Sequence, residues 1–278
     1  MMTKDNFDSD VIDDFGDEWE AYDQSTVDNN ELEKQFSDYF KLFSWDANIR
    51  NGIGADFGCG TGRWAKFAAD KVNTLICIDA SSKAIKVAKR NTADKNNCHV
   101  LQGKIDSLPI SNNSLDFAYS LGVLHHIPDT GEAIKNCTSK LKPGAPFLLY
   151  LYYAFDNRPK WYSLVWKCSN IFRAVICKLP FVIKYPVTNI ISILVYYPLA
   201  RFALLMEKAG VRVSNFPLSE YRAKSLYTMR TDALDRFGTR LEQRFTRMQI
   251  KEMMEQAGLV DIIFSDIAPY WCALGTKK

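Results

Sequence analysis

The sequence predicts an α/β fold: a doubly wound, mostly parallel sheet of seven strands with a helical insertion. Three observations carry that prediction. Short apolar runs alternate with amphipathic stretches from residue 52 onward, and parallel neighbours need crossover helices between them. A glycine-rich turn follows the first of those runs directly. The alternation stops near residue 156 and resumes only toward the C-terminus, which marks an insertion.

Bulk composition agrees with a folded chain. With 278 residues, 47% hydrophobic and 24% charged, it sits at globular averages, which excludes wholesale disorder. Its seven Cys (59, 77, 98, 137, 168, 177 and 272) form no C-x-x-C pair, and the opening MMTKDNFDSD has no apolar stretch. Both features lead us to expect reduced thiols in a cytoplasmic protein, and with only three His (99, 125 and 126) no metal centre is expected.

In chain order, residues 1–38 hold thirteen acidic side chains against Lys4 and Lys34. Leu32, Phe36, Phe40 and Phe43 then fall at helical spacing, so residues 1–50 read as an acidic N-terminal helical cap. The core is expected in residues 51–155 and 241–278. Its strands are the apolar runs 53–57, 75–78, 100–102, 115–120 and 147–152, and its helices are 64–70, 82–92 and 130–141. Near the C-terminus, 246–257 reads as a helix closed by Gly258. Strands at 259–264 and 271–276 follow, joined by so short a link that they pair antiparallel. Residues 156–240 form the insertion.

The turn after the first strand reads Asp56-Phe57-Gly58-Cys59-Gly60-Thr61-Gly62. Glycines there let the chain turn tightly and let a ligand approach the following helix without a Cβ in the way. Asp79, seventeen residues after Gly62, ends the second strand, where a carboxylate accepts hydrogen bonds from ribose hydroxyls. Three readings fit the loop: plain strand–helix packing, a nicotinamide dinucleotide, and S-adenosylmethionine. Gly58 ahead of the pair and Asp56 within the strand favour the last.

Further motifs follow in order: Asp106-Ser-Leu-Pro109, then Ser114-Leu-Asp116 through Gly122-Val-Leu-His125-His126-Ile-Pro128, and Leu141-Lys-Pro-Gly144. Together with the glycine loop and Asp79 they resemble the ordered motifs of class I S-adenosylmethionine-dependent methyltransferases, most closely the type 11 branch. The resemblance covers residues 52–152 strongly and 246–278 weakly, and leaves the insertion out. It implies a Rossmann-like methyltransferase fold, a reversed last hairpin and S-adenosyl-L-methionine as cofactor. Carried onto this sequence, it implies cofactor contacts by Asp56, Gly58, Cys59, Gly60, Gly62, Asp79, Ala80, Ile105, Asp106 and Leu121. His126 would lie near the sulfonium. One departure from the family pattern is that Gly103 is followed by Lys104, with Asp106 two positions further on. The run from Phe15 to Tyr22 also resembles an element that some relatives fold over the cofactor, although an acidic surface helix explains it equally.

Methyl transfer from a sulfonium asks the protein mainly to position a nucleophile and exclude water, with a general base only where the acceptor must lose a proton. His125 and His126, after the fourth strand, are the candidate catalytic residues, as base or as pocket wall; Tyr150, Tyr152 and Tyr153 face the same edge. The insertion carries seven basic and no acidic residues over 157–206. On a helical wheel Trp161, Leu164, Val165, Phe172, Val175, Ile176 and Leu179 share a face opposite Lys160, Lys167, Arg173 and Lys178, and Pro180 ends the pattern. The uncharged run 185–200 contains Pro186 and Pro198 and falls short of the roughly 20 residues a crossing helix needs. Docking on an anionic membrane surface through 157–206 is therefore expected, with a substrate lid or a subunit interface as the other reading. The expected acceptor is a small molecule or a lipid-linked group. A nucleic-acid acceptor is disfavoured, because the chain has no Asn-Pro-Pro-Tyr-type element and no RNA module. A non-catalytic cofactor-binding scaffold of the same fold is the remaining alternative.

Overall fold

The computed structural model describes residues 6–278. The chain forms two compact units. One comprises the described part of Met1–Gln24 with Leu32–Tyr153 and Leu241–Lys278, and the other comprises Ser25–Glu31 with Ala154–Arg240.

The first unit is built on a seven-stranded sheet. Its strands are β1 (Ile53–Phe57), β2 (Thr74–Asp79), β3 (Cys98–Gln102), β4 (Phe117–Leu121), β5 (Pro146–Tyr150), β6 (Leu259–Phe264) and β7 (Ala273–Lys277). They are ordered β3-β2-β1-β4-β5-β7-β6. Only β7 runs antiparallel to its neighbours, so the expected reversed hairpin is present. The order reverses between β1 and β4, and in such sheets the crevice beyond the carboxyl ends of the strands at that switch point receives ligands. Helices cover both faces, which is why β1 and β4 are almost continuously apolar and buried.

Before the sheet lie α1 (Ser9–Ala21), α2 (Asn29–Tyr39) and the short α3 (Ala47–Arg50). The expected apolar face of the N-terminal cap is buried: Phe36 and Phe40 stack 4.3 Å apart, and Phe40 meets the fully buried Tyr119 of β4 edge-on at 4.9 Å. The expected helical cap consists of these three helices. α1 carries Val11, Phe15 and Trp19 at helical spacing, and its first turn is fixed by the Asp8 side chain accepting from the amides of Asp10 and Val11. Between and after the strands come α4 (Ala65–Ala68), α5 (Ser82–Asn91) and α6 (Thr130–Thr138).

The second unit holds α7 (Lys160–Ile176), α8 (Phe181–Ile191), α9 (Tyr197–Lys208) and α10 (Leu226–Gly238). Its core gathers Ile176, Tyr196, Ala200, Met229, Ala233 and Phe237. The Glu31 carboxylate accepts from the Ser225 amide at 3.1 Å and the Thr228 hydroxyl at 2.6 Å, fixing the start of α10. One expectation fails here: Pro186 and Pro198 do not break the apolar run. Pro186 sits inside α8, and a single wider turn over Ser192–Tyr196 leads into Pro198, so the helix continues for 28 residues from Phe181 to Lys208. A widened turn relieves the clash that a proline ring makes with the preceding carbonyls. Among the described residues this is one helix long and apolar enough to cross a membrane. In the first unit, α11 (Arg247–Gln256) opens with a reciprocal cap between Thr246 and Gln249.

The packing of β1 on β4 yields a first prediction. A Cβ at Gly54 would collide with the ring of the fully buried Phe117. Gly54→Ala should lower unfolding stability by about 1–3 kcal/mol, the usual cost of overpacking a filled core. Urea denaturation should show a lower midpoint and an unchanged slope.

Candidate active site

The carboxyl ends of β1, β2 and β4 build the candidate site. At the end of β1 the amides of Gly58 and Cys59 both donate to the Ile78 carbonyl, at 2.8 and 3.0 Å, which folds the loop back over β2. Gly58, Gly60 and Gly62 all adopt positive φ (80°, 52° and 74°), a conformation that side-chain-bearing residues avoid. The Gly60 amide then donates to Asp79 Oδ2 at 2.9 Å, while the Ser81 amide donates to Oδ1 at 2.9 Å. Burial raises the pKa of Asp79, and these backbone donors oppose it. Backbone donors at Gly60, Ala80 and Ser81 thus hold the carboxylate at the end of β2.

Beside Asp79 a cavity of about 380 Å³ is lined by Ala80, Gln102, Gly103, Lys104, Ser107 and Pro109. Ile105 and Asp106 lie in the half-buried turn Ile105–Ser107 within that same stretch. Asp56 lies beneath the loop, where burial raises its pKa well above the carboxylate range against the opposing Tyr119 hydroxyl. The Cys59 thiol is drawn down by Cys77 and pushed up by burial, ending near about 11, so it is no thiolate nucleophile.

α1 lies over this loop. The Trp19 indole nitrogen stands 3.1 Å from where a Gly60 Cβ would be, and the Arg63 guanidinium lies 5.7 Å above the Trp19 ring and 4.4 Å above Trp64. The acidic side chains of α1 are matched by the basic face of α5. Lys83 pairs with Asp17 and lies 3.6 Å from Glu20, and Arg90 pairs with Asp23 at 2.6 Å. The acidic-surface alternative for residues 15–22 therefore gives way to a strap whose aromatic side covers the loop.

At the end of β4, Leu121 is buried in the core and His125 and His126 form a short turn. The two imidazoles are 4.0 Å apart; His125 stacks on Tyr152 at 3.9 Å, and Phe15 of α1 meets His126 edge-on at 4.7 Å. His126 Nδ1 lies 2.6 Å from the Leu241 carbonyl. A carbonyl only accepts, so Nδ1 carries the proton and Nε2 the lone pair of the neutral ring. His125 is fully buried, and that burial, followed by the charges of His126 and Arg244, holds its pKa well below the usual histidine value. Arg244, which pairs with Glu242 at 2.8 Å, lies 5.0 Å above the Tyr152 ring. The Gln243 amide donates to the His125 carbonyl, and its side chain donates to Ile127.

The fold thus brings Asp56, Gly58, Cys59, Gly60, Gly62, Asp79 and Ala80 together at one end of β1 and β2. It sets Leu121, His125, His126, Tyr150 and Tyr152 at the neighbouring end of β4 and β5. Sequence reasoning missed the segment 241–245, whose Leu241, Gln243 and Arg244 fix the histidine turn. The polar run Arg240-Leu-Glu-Gln-Arg before the capped helix was its only signal.

Comparison with known proteins agrees with this arrangement. Residues 55–149 match the family model described as a methyltransferase domain. The demethylmenaquinone methyltransferase of Staphylococcus aureus strain MRSA252 is 33% identical over 103 residues, which is 36% of this chain and 43% of that protein. Its counterpart in Staphylococcus saprophyticus is 29% identical over 115 residues, 40% and 49% respectively. The chain spans less than half the length of these relatives. An S-adenosylmethionine-dependent methyltransferase from Aquifex aeolicus has the same fold at 12% identity, with a TM-score of 0.51 over 92% of this chain and 96% of that one. A chain of the Haloferax volcanii complex between the Trm112 methyltransferase activator and a methyltransferase superposes similarly, at 14% identity and a TM-score of 0.53 over 94% and 96%.

The buried His125 makes stability depend on pH. In the unfolded chain it titrates near ~6.5, whereas the folded chain resists protonation, so the unfolded state binds the extra proton. Stability is therefore complete above about 6.5 and falls as the pH drops below it, by at most ~1.4 kcal/mol per unit. The Asp56 carboxyl, whose pKa burial raises, acts in the opposite sense, so the His125 part is read as a difference: between about pH 7.5 and about pH 5.5 in urea unfolding, His125→Phe should gain stability relative to the parent as the pH falls.

Proposed function

With residues 55–149 identified as a class I S-adenosylmethionine-dependent methyltransferase domain of the type 11 branch, we propose that the protein transfers a methyl group from this cofactor to a small-molecule or lipid-linked acceptor. The observation that carries the proposal is the Gly60–Asp79 hydrogen bond, which holds a glycine loop and a carboxylate in one cradle. The residues fit the cofactor. Gly58, Gly60 and Gly62 at positive φ bring the loop onto the end of the Asp79 strand, the Asp79 carboxylate is an acceptor suited to a ribose diol, and the adjoining cavity beside Ala80 and Gly103 would take the purine.

When bound, S-adenosylmethionine supplies an electrophilic methyl group and leaves as a neutral thioether. The protein's contribution is to place the acceptor in line and keep water out. Trp19 and Phe15 cover the loop and the histidine turn, and the rings of Tyr150, Tyr152 and His126 provide an aromatic wall at the β4 and β5 ends. We assign His126 to that wall, because its Nδ1 is tied to Leu241 and its ring is packed against Phe15 and His125. An aromatic wall suits an apolar acceptor, and the demethylmenaquinone methyltransferases among the relatives point to the same class.

Titration calorimetry should show S-adenosylmethionine binding and no binding of NAD. Asp79→Ala should weaken the former by roughly 1.5–3 kcal/mol, the value of hydrogen bonds to a charged acceptor. Tight NAD binding, or an Asp79→Ala protein with unchanged affinity, contradicts the assignment. His126→Ala should lower kcat less than about a hundredfold and keep the pH–rate profile of the parent, since a general base contributes ~10²–10⁴ and leaves a titration when removed. A larger loss that takes an inflection with it makes His126 the base.

A further inference from the structure

We propose that α7 and the 28-residue helix Phe181–Lys208 dock the protein on an anionic bilayer, lying in its interface and not crossing it. This goes beyond the methyltransferase reading and rests on which side chains the second unit turns outward.

Both helices turn a broad apolar face outward. In α7, Leu164, Ile171, Phe172 and Val175 are exposed, between 62% and 69% of their surface, at spacings that place them on one side. The inward side joins the core through Ile176 and is otherwise anchored by polar contacts: Ser169 accepts from Arg236, whose guanidinium stacks 5.2 Å from the Trp166 ring, and Arg173 donates to the Thr239 carbonyl at 2.6 Å. The second helix repeats the pattern. Val182, Ile190, Leu194 and Leu205 face out, whereas Lys184, Thr188 and Ser192 are buried toward the unit's own core. A helix in water places these groups the other way round, and exposed apolar faces of this extent mark a binding surface.

Charge identifies the occupant. Four of the seven basic residues are engaged inside the unit. Arg158 pairs with Glu220, Arg173 holds Thr239, Arg201 donates to the carbonyls of Arg222 and Lys224, and Lys184 is 2% exposed. Lys160, Lys167 and Lys178 remain at the surface, with no acidic residue anywhere in 157–206. A second copy laid on the same face by a two-fold axis would oppose like charges. Anionic headgroups neutralise them, and lysine stems reach past an inserted apolar face to do so. Crossing is disfavoured because the row Lys184, Thr188, Ser192, Tyr196 and Ala200 is already packed within the unit, leaving only one apolar side for lipid.

The test is co-sedimentation of the full chain with vesicles of phosphatidylcholine alone or with about one-third phosphatidylglycerol. Binding should rise with the anionic lipid and fall with salt, as the screening length shrinks from ~30 Å at 0.01 M to ~3 Å at 1 M. Each exposed lysine contributes about fivefold, so joint Lys160→Gln, Lys167→Gln and Lys178→Gln should reduce partitioning by on the order of a hundredfold. Joint Leu164→Ser, Phe172→Ser and Leu194→Ser should remove the binding that survives high salt, with an unchanged circular dichroism spectrum. A wild-type chain that stays in the supernatant at low salt overturns the proposal, as does undiminished binding of the serine variant. A vesicle-free dimer that the serine variant dissolves, in a chain that ignores vesicles, assigns the face to self-association instead.

Discussion

The hydrogen bond from the Gly60 amide to the Asp79 carboxylate joins the two strand ends from which the site is made. Besides it, the loop is held against β2 by the Ile78 carbonyl and by the Cys59–Cys77 contact. The carboxylate in turn is kept in a buried position by the amides that point at it, so loop and acid preorganise each other. The remaining geometry depends on this cradle. Trp19 can cover the loop because Gly60 has no side chain, and the cavity beside Ala80 begins where the Asp79 strand ends.

Charge is used in two opposite ways along the chain. The acidic N-terminal segment spends part of its charge on Lys83 and Arg90 of α5, pairs that are partly exposed and individually worth no more than about 1 kcal/mol, yet together fix the register of the strap over the loop. The basic insertion turns most of its cations inward onto backbone carbonyls and one glutamate, leaving its apolar side chains to face out. Net charge alone reveals neither use.

Most of the α/β core was legible because its signals are local. Apolar runs bounded by turn residues mark all seven strands to within a few residues, and the glycine loop with Asp79 at the next strand end marks the C-terminal edge of the sheet as the ligand side. The illegible features are those that a distant partner decides. The seat of α1 over the glycine loop is set by ion pairs to α5, well over sixty residues later; the 241–245 segment matters only because the histidine turn packs on it. Pro186 and Pro198 read as helix breakers, and only the widened turn at Ser192–Tyr196 shows how the chain absorbs one of them. The helical wheel for 160–179 put Ile176 on one face with Leu164, Phe172 and Val175, but Ile176 is buried in the unit's core while the other three are exposed, and Arg173 is anchored inside the unit, neither of which a wheel registers.

The central claim is that the Gly60–Asp79 cradle holds S-adenosylmethionine with its ribose on the carboxylate. Its most direct test is a crystal structure of the protein grown with S-adenosylhomocysteine. The account predicts ribose hydroxyls within hydrogen-bond distance of Asp79 and the adenine in the cavity lined by Ala80, Gly103 and Pro109. Density for the ligand away from the glycine loop, or an Asp79 carboxylate that leaves the Gly60 amide and faces no ribose, would contradict it.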